Sequence, residues 1–284
     1  MTPKIYDCFT FYNELDLLEL RLQETADEVD VFVIAEATRT FQGREKPLYL
    51  KDNWDRFAPW HDKIRRIEIT DLEESGDPWA NEARSREHLK AGLHDAEDLD
   101  IIVLSDCDEI LRPGALRYMR TANRAVYGTR MPLFYFRLNY MQIHPTLWWA
   151  GASAVRYKLL NDMEQLRKMR HQIGIAENSV IMHAGWHFGW LGDDVRAREK
   201  IESFAHSELN KPEVLENINL ELSIQNGHGL NPYAQDREDK HVIVEVDDYF
   251  PRTVQVDKSR WSRYIVNDAT EKVTNFLKFG TIPQ

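Results

Sequence analysis

The chain has 284 residues, of which 47 are acidic and 36 are basic, so its formal net charge is −11. This surplus of negative charge argues against nucleic acid and against an anionic membrane as the main partner. The two cysteines, Cys8 and Cys107, stand in apolar stretches, so no disulfide framework is expected and a reducing compartment fits. The N-terminus has no signal-like apolar region, and no apolar run is long enough to span a membrane. We therefore expect a cytoplasmic protein without a membrane span, of undetermined oligomeric state.

The first half of the chain alternates between strand-like and helix-like patterns. Residues 4–11 predict a first strand, and Asn13 is the expected N-cap of a leucine-rich helix. Residues 31–35 predict a second, buried strand and Ile64–Ile69 a third, with a helix expected over 79–94. Strand–helix–strand units of this kind form parallel crossovers. The pattern therefore predicts an α/β fold with a mostly parallel sheet, in a single domain over 1–284.

The next stretch organises the rest of the chain. Ile101–Leu104 is a run of four apolar residues, typical of a strand buried on both faces, and it leads directly into Asp106, Asp108 and Glu109. The carboxyl ends of such strands bind ligands, and residues two apart in extended backbone point the same way. Asp106 and Asp108 are therefore expected to face one divalent cation, for a phosphate-bearing substrate. The alternative is an acidic turn before a helix that begins near Pro113.

Two motifs follow in the second half. Residues 179–182 predict a further buried strand, followed by Gly185-Trp186-His187. His187 is either a third metal ligand or a histidine that is hydrogen-bonded within an aromatic core. Asp193 and Asp194 are either a catalytic base near an acceptor or the cap of a helix reaching about residue 206.

Several other side chains have two open interpretations. Arg86 on the helix before Asp106 can bind a phosphate or hold that carboxylate, or it can belong to a solvated face. Trp149, Trp186 and Trp190 can form a sugar-stacking platform, although aromatic residues in this number also fill cores.

With these motifs assembled, the chain resembles the family-17 glycosyltransferases, whose animal members add a bisecting N-acetylglucosamine to glycoproteins. The resemblance implies a GT-A fold with an Asp-x-Asp motif, UDP-N-acetylglucosamine as donor, Mn²⁺ or Mg²⁺ as cofactor, and an inverting reaction onto a glycan acceptor. The matching stretches are residues 13–21, 31–36, 105–110 and 184–187, together with Gly43 and Lys46-Pro47-Leu48.

The resemblance, combined with the order of the strands, suggests roles for individual residues. Residues 1–125 would bind the nucleotide sugar, and residues 126–284 would face the acceptor. The tryptophans named above would contact the acceptor, and Asp193 or Asp194 would remove its proton. The metal ligands would be Asp106, Asp108 and His187, and the donor-binding residues would be Phe9, Thr10, Glu14, Glu36, Arg86 and Asp106.

The sequence departs from the animal enzymes at two points. They carry an N-terminal membrane anchor, whereas none is expected here, so their glycoprotein acceptor is not carried over. Where a glutamate is expected after the Gly-Trp-His loop, the chain has Asp193-Asp194-Val195.

Two other functional classes stay open. The sequence Asp106-Cys107-Asp108 after an apolar strand is also similar to the nucleophile loop of haloacid-dehalogenase-type phosphohydrolases. Those enzymes carry the loop near their start and have Thr or Val at the position of Ile110, whereas two strands and a crossover precede it here. The second alternative is a non-catalytic protein that binds a sugar nucleotide or a glycan.

Overall fold

The fold is taken from a computed structural model, which describes residues 2–172, 179–230, 239–267, 269 and 271–277. The strands are β1 (Ile5–Phe11), β2 (Val31–Ala37), β3 (Ile64–Ile69), β4 (Ile101–Leu104), β5 (Glu109–Leu111), β6 (Val126–Tyr135), β7 (Tyr140–His144), β8 (Trp148–Arg156), β9 (Val180–Ile181), β10 (Gly185–Gly189) and β11 (Lys240–Ile243). The helices are α1 (Leu15–Thr25), α2 (Tyr49–Asp52), α3 (Pro78–His88), α4 (Pro113–Thr121), α5 (Met163–Met169), α6 (Asp194–Ile201), α7 (Pro212–Leu215), α8 (Leu220–Asn226), α9 (Arg252–Val256) and α10 (Lys258–Trp261).

A parallel four-stranded block forms the N-terminal part of the sheet, in the order β3-β2-β1-β4. Every residue of β1, β2 and β4 except Thr10 is buried, as expected for apolar strands covered on both faces. Helix α1 connects β1 to β2 on one side, whereas the chain returns through α3 to β4 on the other side of β1. Ligands of open α/β sheets bind where the connections diverge in this way, here at the carboxyl ends of β1 and β4.

An antiparallel block continues the same sheet on the other side of β4. Strand β8 pairs antiparallel with both β4 and β6, and β7 and β11 follow outward. One sheet therefore joins strands from both halves of the chain. The predicted α/β fold class, with a parallel central sheet flanked by helices, is confirmed, and the division into two functional halves remains a prediction.

Strand β10 lies between two partners that are distant in sequence. It pairs antiparallel with β5, which places His187 opposite Glu109, and parallel with β6. Gly185 is required at the start of this strand, because a Cβ atom there would lie 2.0 Å from the carbonyl oxygen of Ile110. This pairing brings the predicted Gly-Trp-His motif to the end of β4.

Some predicted helix boundaries were wrong. Helix α1 begins at Leu15, after Glu14 rather than Asn13, and no side chain caps it. The helix predicted over 79–94 is shorter, because α3 is followed by a 3₁₀ helix over Leu89–Leu93. The strand predicted over 179–182 is the two-residue β9, and α6 ends before residue 206. Within the described part of the chain, no helix combines the length and apolar character needed to cross a membrane.

Candidate active site

The residues that follow β4 form a turn, which we call the acidic turn (residues 106–109). The backbone N–H of Glu109 donates a hydrogen bond to the carbonyl oxygen of Asp106 over 3.0 Å, which closes the turn. The expectation that Asp106 and Asp108 share one direction along extended backbone was therefore wrong. A turn rotates its successive side chains toward different surroundings, and the two carboxylates contact different cations.

Arg21 of α1 is hydrogen-bonded to the backbone of the acidic turn. Its guanidinium donates to three carbonyl oxygens of the turn: that of Asp106 over 2.9 Å, that of Cys107 over 3.3 Å and that of Glu109 over 3.2 Å. The turn is therefore fixed by a buried side chain that reaches it from the first crossover helix.

Asp106 and Glu109 share the cation Arg167 of α5. Arg167 contacts the Asp106 carboxylate directly, and its Nη1 lies 2.9 Å from Oε2 of Glu109. Burial alone would raise the pKa of Glu109, but Arg167 holds it down at about 2. Arg86 lies 3.9 Å from Asp106 and also pairs with Glu164 over 2.9 Å. Arg86 is therefore near the predicted diphosphate position, where it already has carboxylate partners.

Asp108 points to the other side of the turn. Its Oδ2 accepts a hydrogen bond from Nζ of Lys200 over 2.9 Å, and its Oδ1 lies 3.4 Å from Nε2 of His187. Burial would raise the pKa of Asp108, but the charge of Lys200, followed by that of His187, holds it well below its usual range. The other ring nitrogen of His187, Nδ1, is buried and has no hydrogen-bond partner among the described residues.

A metal ion at this site would be held by Asp106, Asp108 and His187. Within the described ranges, no three His, Cys, Asp or Glu side chains are placed so that they could hold a metal ion. Arg167 contacts Asp106, and Lys200 contacts Asp108, so each carboxylate that would bind the ion already has a positively charged partner. As they stand, these residues do not fit a divalent ion, although His187 lies beside Asp108 as the sequence led us to expect.

A cleft that is open to solvent lies beside Asp108. Three of its side chains, Glu14, Asp108 and Trp190, are among the predicted site residues. Oε2 of Glu14 accepts from two backbone N–H groups over 3.2 and 3.0 Å, and Oε1 has no hydrogen bond within the described structure. The residues that line the cleft are Tyr12, Asn13, Glu14, Asp16, Leu17, Asp108, Phe188, Trp190, Leu191, Arg196, Lys200 and Tyr264.

The predicted donor residues at the ends of β1 and β2 have different surroundings. Phe9 is fully buried beneath the Arg21 guanidinium, which lies 4.0 Å from its ring centroid. Glu36 is also fully buried, and its carboxylate accepts from the backbone N–H groups of Leu50 and Lys51 at the start of α2. Both predictions of donor contact were wrong, because neither side chain has surface to offer. Thr10 is half-buried, and its predicted donor contact remains a prediction.

The three tryptophans predicted to contact the acceptor also differ. Trp186 is buried, with the guanidinium of Arg112 4.1 Å from its ring centroid, so it belongs to the core and that prediction was wrong. Trp149 is half-buried and donates through Nε1 to Oε1 of Glu109 over 2.7 Å. Trp190 lines the cleft, with Nζ of Lys200 5.3 Å from its ring centroid.

The predicted catalytic base is not in the cleft. Asp193 is the N-cap of α6, since its carboxylate accepts from the backbone N–H of Arg196 over 3.0 Å. Asp194 accepts from the backbone N–H of Leu220 over 2.9 Å, at the start of α8. Neither residue lines the cleft described above. The alternative interpretation, a cap of the following helix, holds for Asp193, whereas Asp194 contacts the first residue of α8, whose N-cap is Asn219.

Three cations at the site were missed by sequence reasoning. Arg21 and Lys200 stand at helical positions within amphipathic segments, which is the usual pattern of a solvated face, so no local signal distinguished them. Arg167 lies beside Lys168 and Arg170, and a run of basic residues is usually a solvated surface. Its contacts in the structure are instead with the carboxylates of the acidic turn.

Solved structures show distant similarity to this chain. A mannosyltransferase from Pyrobaculum calidifontis, solved in complex with GDP-Man and Mn²⁺, is 14% identical, with a TM-score of 0.37; the match covers 65% of this chain and 57% of that one. For S. aureus TarS 1–349 the identity is 13% and the TM-score 0.35, over 75% of this chain and 69% of that one. A 4-diphosphocytidyl-2C-methyl-D-erythritol synthase is 15% identical, with a TM-score of 0.35; the match covers 64% of this chain and 90% of that one.

No curated protein matches the chain. A family model does match, described as glycosyltransferase family 17, and the match extends over residues 1–234, well over half of the chain. The acidic turn and its cations all lie within the matched residues, and so do the residues that line the cleft, apart from Tyr264. The protein is a transferase and belongs to glycosyltransferase family 17.

Proposed function

We propose that the protein transfers N-acetylglucosamine, with inversion, from UDP-N-acetylglucosamine to a hydroxyl group of a glycan acceptor. The observation that carries this proposal is the position of the acidic turn. It lies at the point where the sheet connections diverge and opens onto the cleft through Asp108. Family membership supports the reaction class, whereas the identity of the donor sugar comes from the resemblance of the motifs.

The reaction needs a group that accepts a proton. The acceptor oxygen attacks the anomeric carbon, the bond from that carbon to the phosphate oxygen breaks, and UDP leaves with the bonding electrons. The hydroxyl proton must pass to a base positioned on the acceptor side. Glu14, which the sequence suggested as a donor-binding residue, suits this role instead, because it lines the cleft and its Oε1 is available. Asp16 is less suited, since Arg56, Arg263 and Tyr264 already contact its carboxylate.

The leaving diphosphate needs positive charge. Lys200 lines the cleft and presents its ammonium group to it, whereas the Arg196 guanidinium is held by the Glu199 carboxylate and the carbonyl oxygen of Asn13. Charged groups that are held in place before the reaction stabilise negative charge as it develops. Dependence on Mn²⁺ or Mg²⁺ stays a prediction of the family resemblance.

The acceptor would be a glycan, and Trp190 is its best-placed contact. Its indole borders the cleft, and aromatic faces stack on the apolar faces of sugar rings. Trp149 lies beside Glu109 of the acidic turn, and its indole N–H donates a hydrogen bond to that carboxylate. The cytoplasmic location and the two-half division proposed from the sequence remain part of this proposal.

The proposal is tested by incubating the protein with UDP-N-acetylglucosamine and a panel of oligosaccharide acceptors, with UDP release and product mass as readouts. We expect UDP to appear together with an acceptor that is heavier by one N-acetylhexosamine. Glu14→Gln should lower kcat by about a hundredfold or more while UDP affinity stays within about twofold. Release of inorganic phosphate without glycosyl transfer would instead favour the phosphohydrolase alternative, and tight binding without turnover would favour a binding protein.

A further inference from the structure

Lys200 occupies the position beside Asp108 where the family resemblance places a metal ion. It stands in the last turn of α6, whose neighbouring residues Ala197 and Ile201 are buried in the core. Its ammonium group lies 2.9 Å from Oδ2 of Asp108, and its side chain remains 30% exposed toward the cleft. A buried helix face thus fixes the backbone of Lys200, while its charged end reaches both the acidic turn and the cleft.

The carboxylates of the acidic turn are already neutralised by side chains of the protein. Arg167 contacts both Asp106 and Glu109, and Lys200 contacts Asp108. A divalent ion bound by Asp106 and Asp108 would have to displace both cations. Displacing Arg167 would also leave the fully buried Glu109 without its main partner, which is costly in a protein interior.

We propose that Lys200 is the permanent cation of this site, so that the protein binds the diphosphate of its nucleotide donor without a divalent metal ion. This inference rests on the proposed function. The ammonium group has three protons, and the hydrogen bond to Asp108 uses one of them. The other two are available to phosphate oxygens in the cleft. The Trp190 ring, 5.3 Å from Nζ, adds a cation–π contact that helps to keep the charged group in place.

Calorimetric titration of UDP into the protein, once with EDTA and once with Mn²⁺, tests this proposal. The wild type should bind UDP in EDTA with an affinity within about threefold of that in Mn²⁺. Lys200→Gln should lose about tenfold to a hundredfold of the affinity measured in EDTA, because a charge-assisted hydrogen bond to phosphate is lost. Lys200→Arg should retain most of it. Arg196→Gln is the matched control, since Arg196 lies on the same helix, lines the same cleft and does not contact the acidic turn.

Each outcome decides the question. UDP affinity that falls by tenfold or more when EDTA replaces Mn²⁺ in the wild type would overturn the proposal. Unchanged affinity of Lys200→Gln in EDTA, or an equal loss in Arg196→Gln, would overturn it as well. If Lys200→Gln does not fold, the wild-type comparison decides alone. Failure of UDP and UDP-N-acetylglucosamine to bind under either condition would reject the proposed donor itself, which distinguishes that failure from the loss of metal independence.

Discussion

Asp7 of β1 and Arg21 of α1 form a buried ion pair beneath the acidic turn. Nη2 of Arg21 lies 2.5 Å from Oδ1 of Asp7, and Nε donates to Oδ2 over 2.8 Å, so the contact is bidentate. The remaining guanidinium protons reach Ser105 and three carbonyl oxygens of the acidic turn. One arginine therefore connects the first strand, the first helix and the end of β4.

Arg21→Met should destabilise the protein by about 3 to 5 kcal/mol, because it leaves the Asp7 carboxylate buried without a partner. Urea denaturation monitored by circular dichroism measures this change. Arg21→Lys is the matched control. It keeps the charge but loses the bidentate fork, so its cost should be smaller. A loss below about 1 kcal/mol for Arg21→Met would contradict the role assigned to this pair.

Asp108→Asn should lower the free energy of unfolding by about 1 to 3 kcal/mol, since it removes the negative charge that pairs with Lys200. If Asp106 and Asp108 were unpaired carboxylates that repel each other, Asp108→Asn would instead raise the free energy of unfolding, because it would relieve that repulsion. The control is Glu45→Gln, since Glu45 pairs with Arg39 on the surface and its side chain is 84% exposed. Exposed pairs of this kind contribute little. Thermal and urea unfolding of both variants separate the two cases.

Gly185→Ala should be severely destabilising, by more than about 3 kcal/mol, because the new Cβ would clash with backbone atoms that cannot move aside. It would lie 2.0 Å from the carbonyl oxygen of Ile110 and 2.9 Å from Cα of Leu111. Gly189→Ala, at the other end of β10, is the control, since its Cβ would meet its nearest atom at 3.4 Å. Comparable stability of the two variants would mean that β10 does not pack against β5 as described.

His241 should make the stability of the protein fall in mildly acidic solution. Its ring packs against Tyr135 and Tyr140, each 5.0 Å away between centroids, and neither ring nitrogen has a hydrogen-bond partner within the described residues. Burial lowers its pKa to about 4. Between the unfolded value of about 6.5 and about 4, the unfolded chain binds a proton that the folded protein does not. Stability contributed by the neutral ring is therefore present above pH 6.5 and is lost as the pH falls toward 4.

His241→Phe tests this dependence, because it keeps an aromatic ring and removes the titrating group. The unfolding free energy of the wild type, relative to the variant, should fall by about 2 to 3 kcal/mol between pH 7 and pH 4. Asp239 and His228 remain in both proteins, so their titration cancels in the comparison. A difference that does not change with pH would show that His241 is protonated in the folded state as readily as in the unfolded state.

Apolar runs determine much of the fold directly from the sequence. The strands at Ile5–Phe11, Val31–Ala37, Ile64–Ile69 and Ile101–Leu104 were predictable, because each is a short apolar or alternating run. The helix expected between the first two strands also predicted their parallel pairing, since a helical crossover returns the chain to the same end of the sheet. The position of the acidic turn at the end of β4 followed from the same local pattern. Helix boundaries were less accurate, because caps and 3₁₀ turns depend on contacts outside the helix.

Only the tertiary structure decided which charges meet at that turn. Lys200 is 92 residues from Asp108, and Arg167 is 58 residues from Glu109, so no local spacing connects them. The burial of Phe9, Glu36 and Trp186 is likewise a property of packing, since the same residue types also serve on binding surfaces. A sequence pattern shows which face of a strand or helix is apolar, but the partner of a polar side chain is set by how distant elements pack. For this reason the sequence located the acidic turn, whereas the cations that neutralise it became visible only in the folded chain.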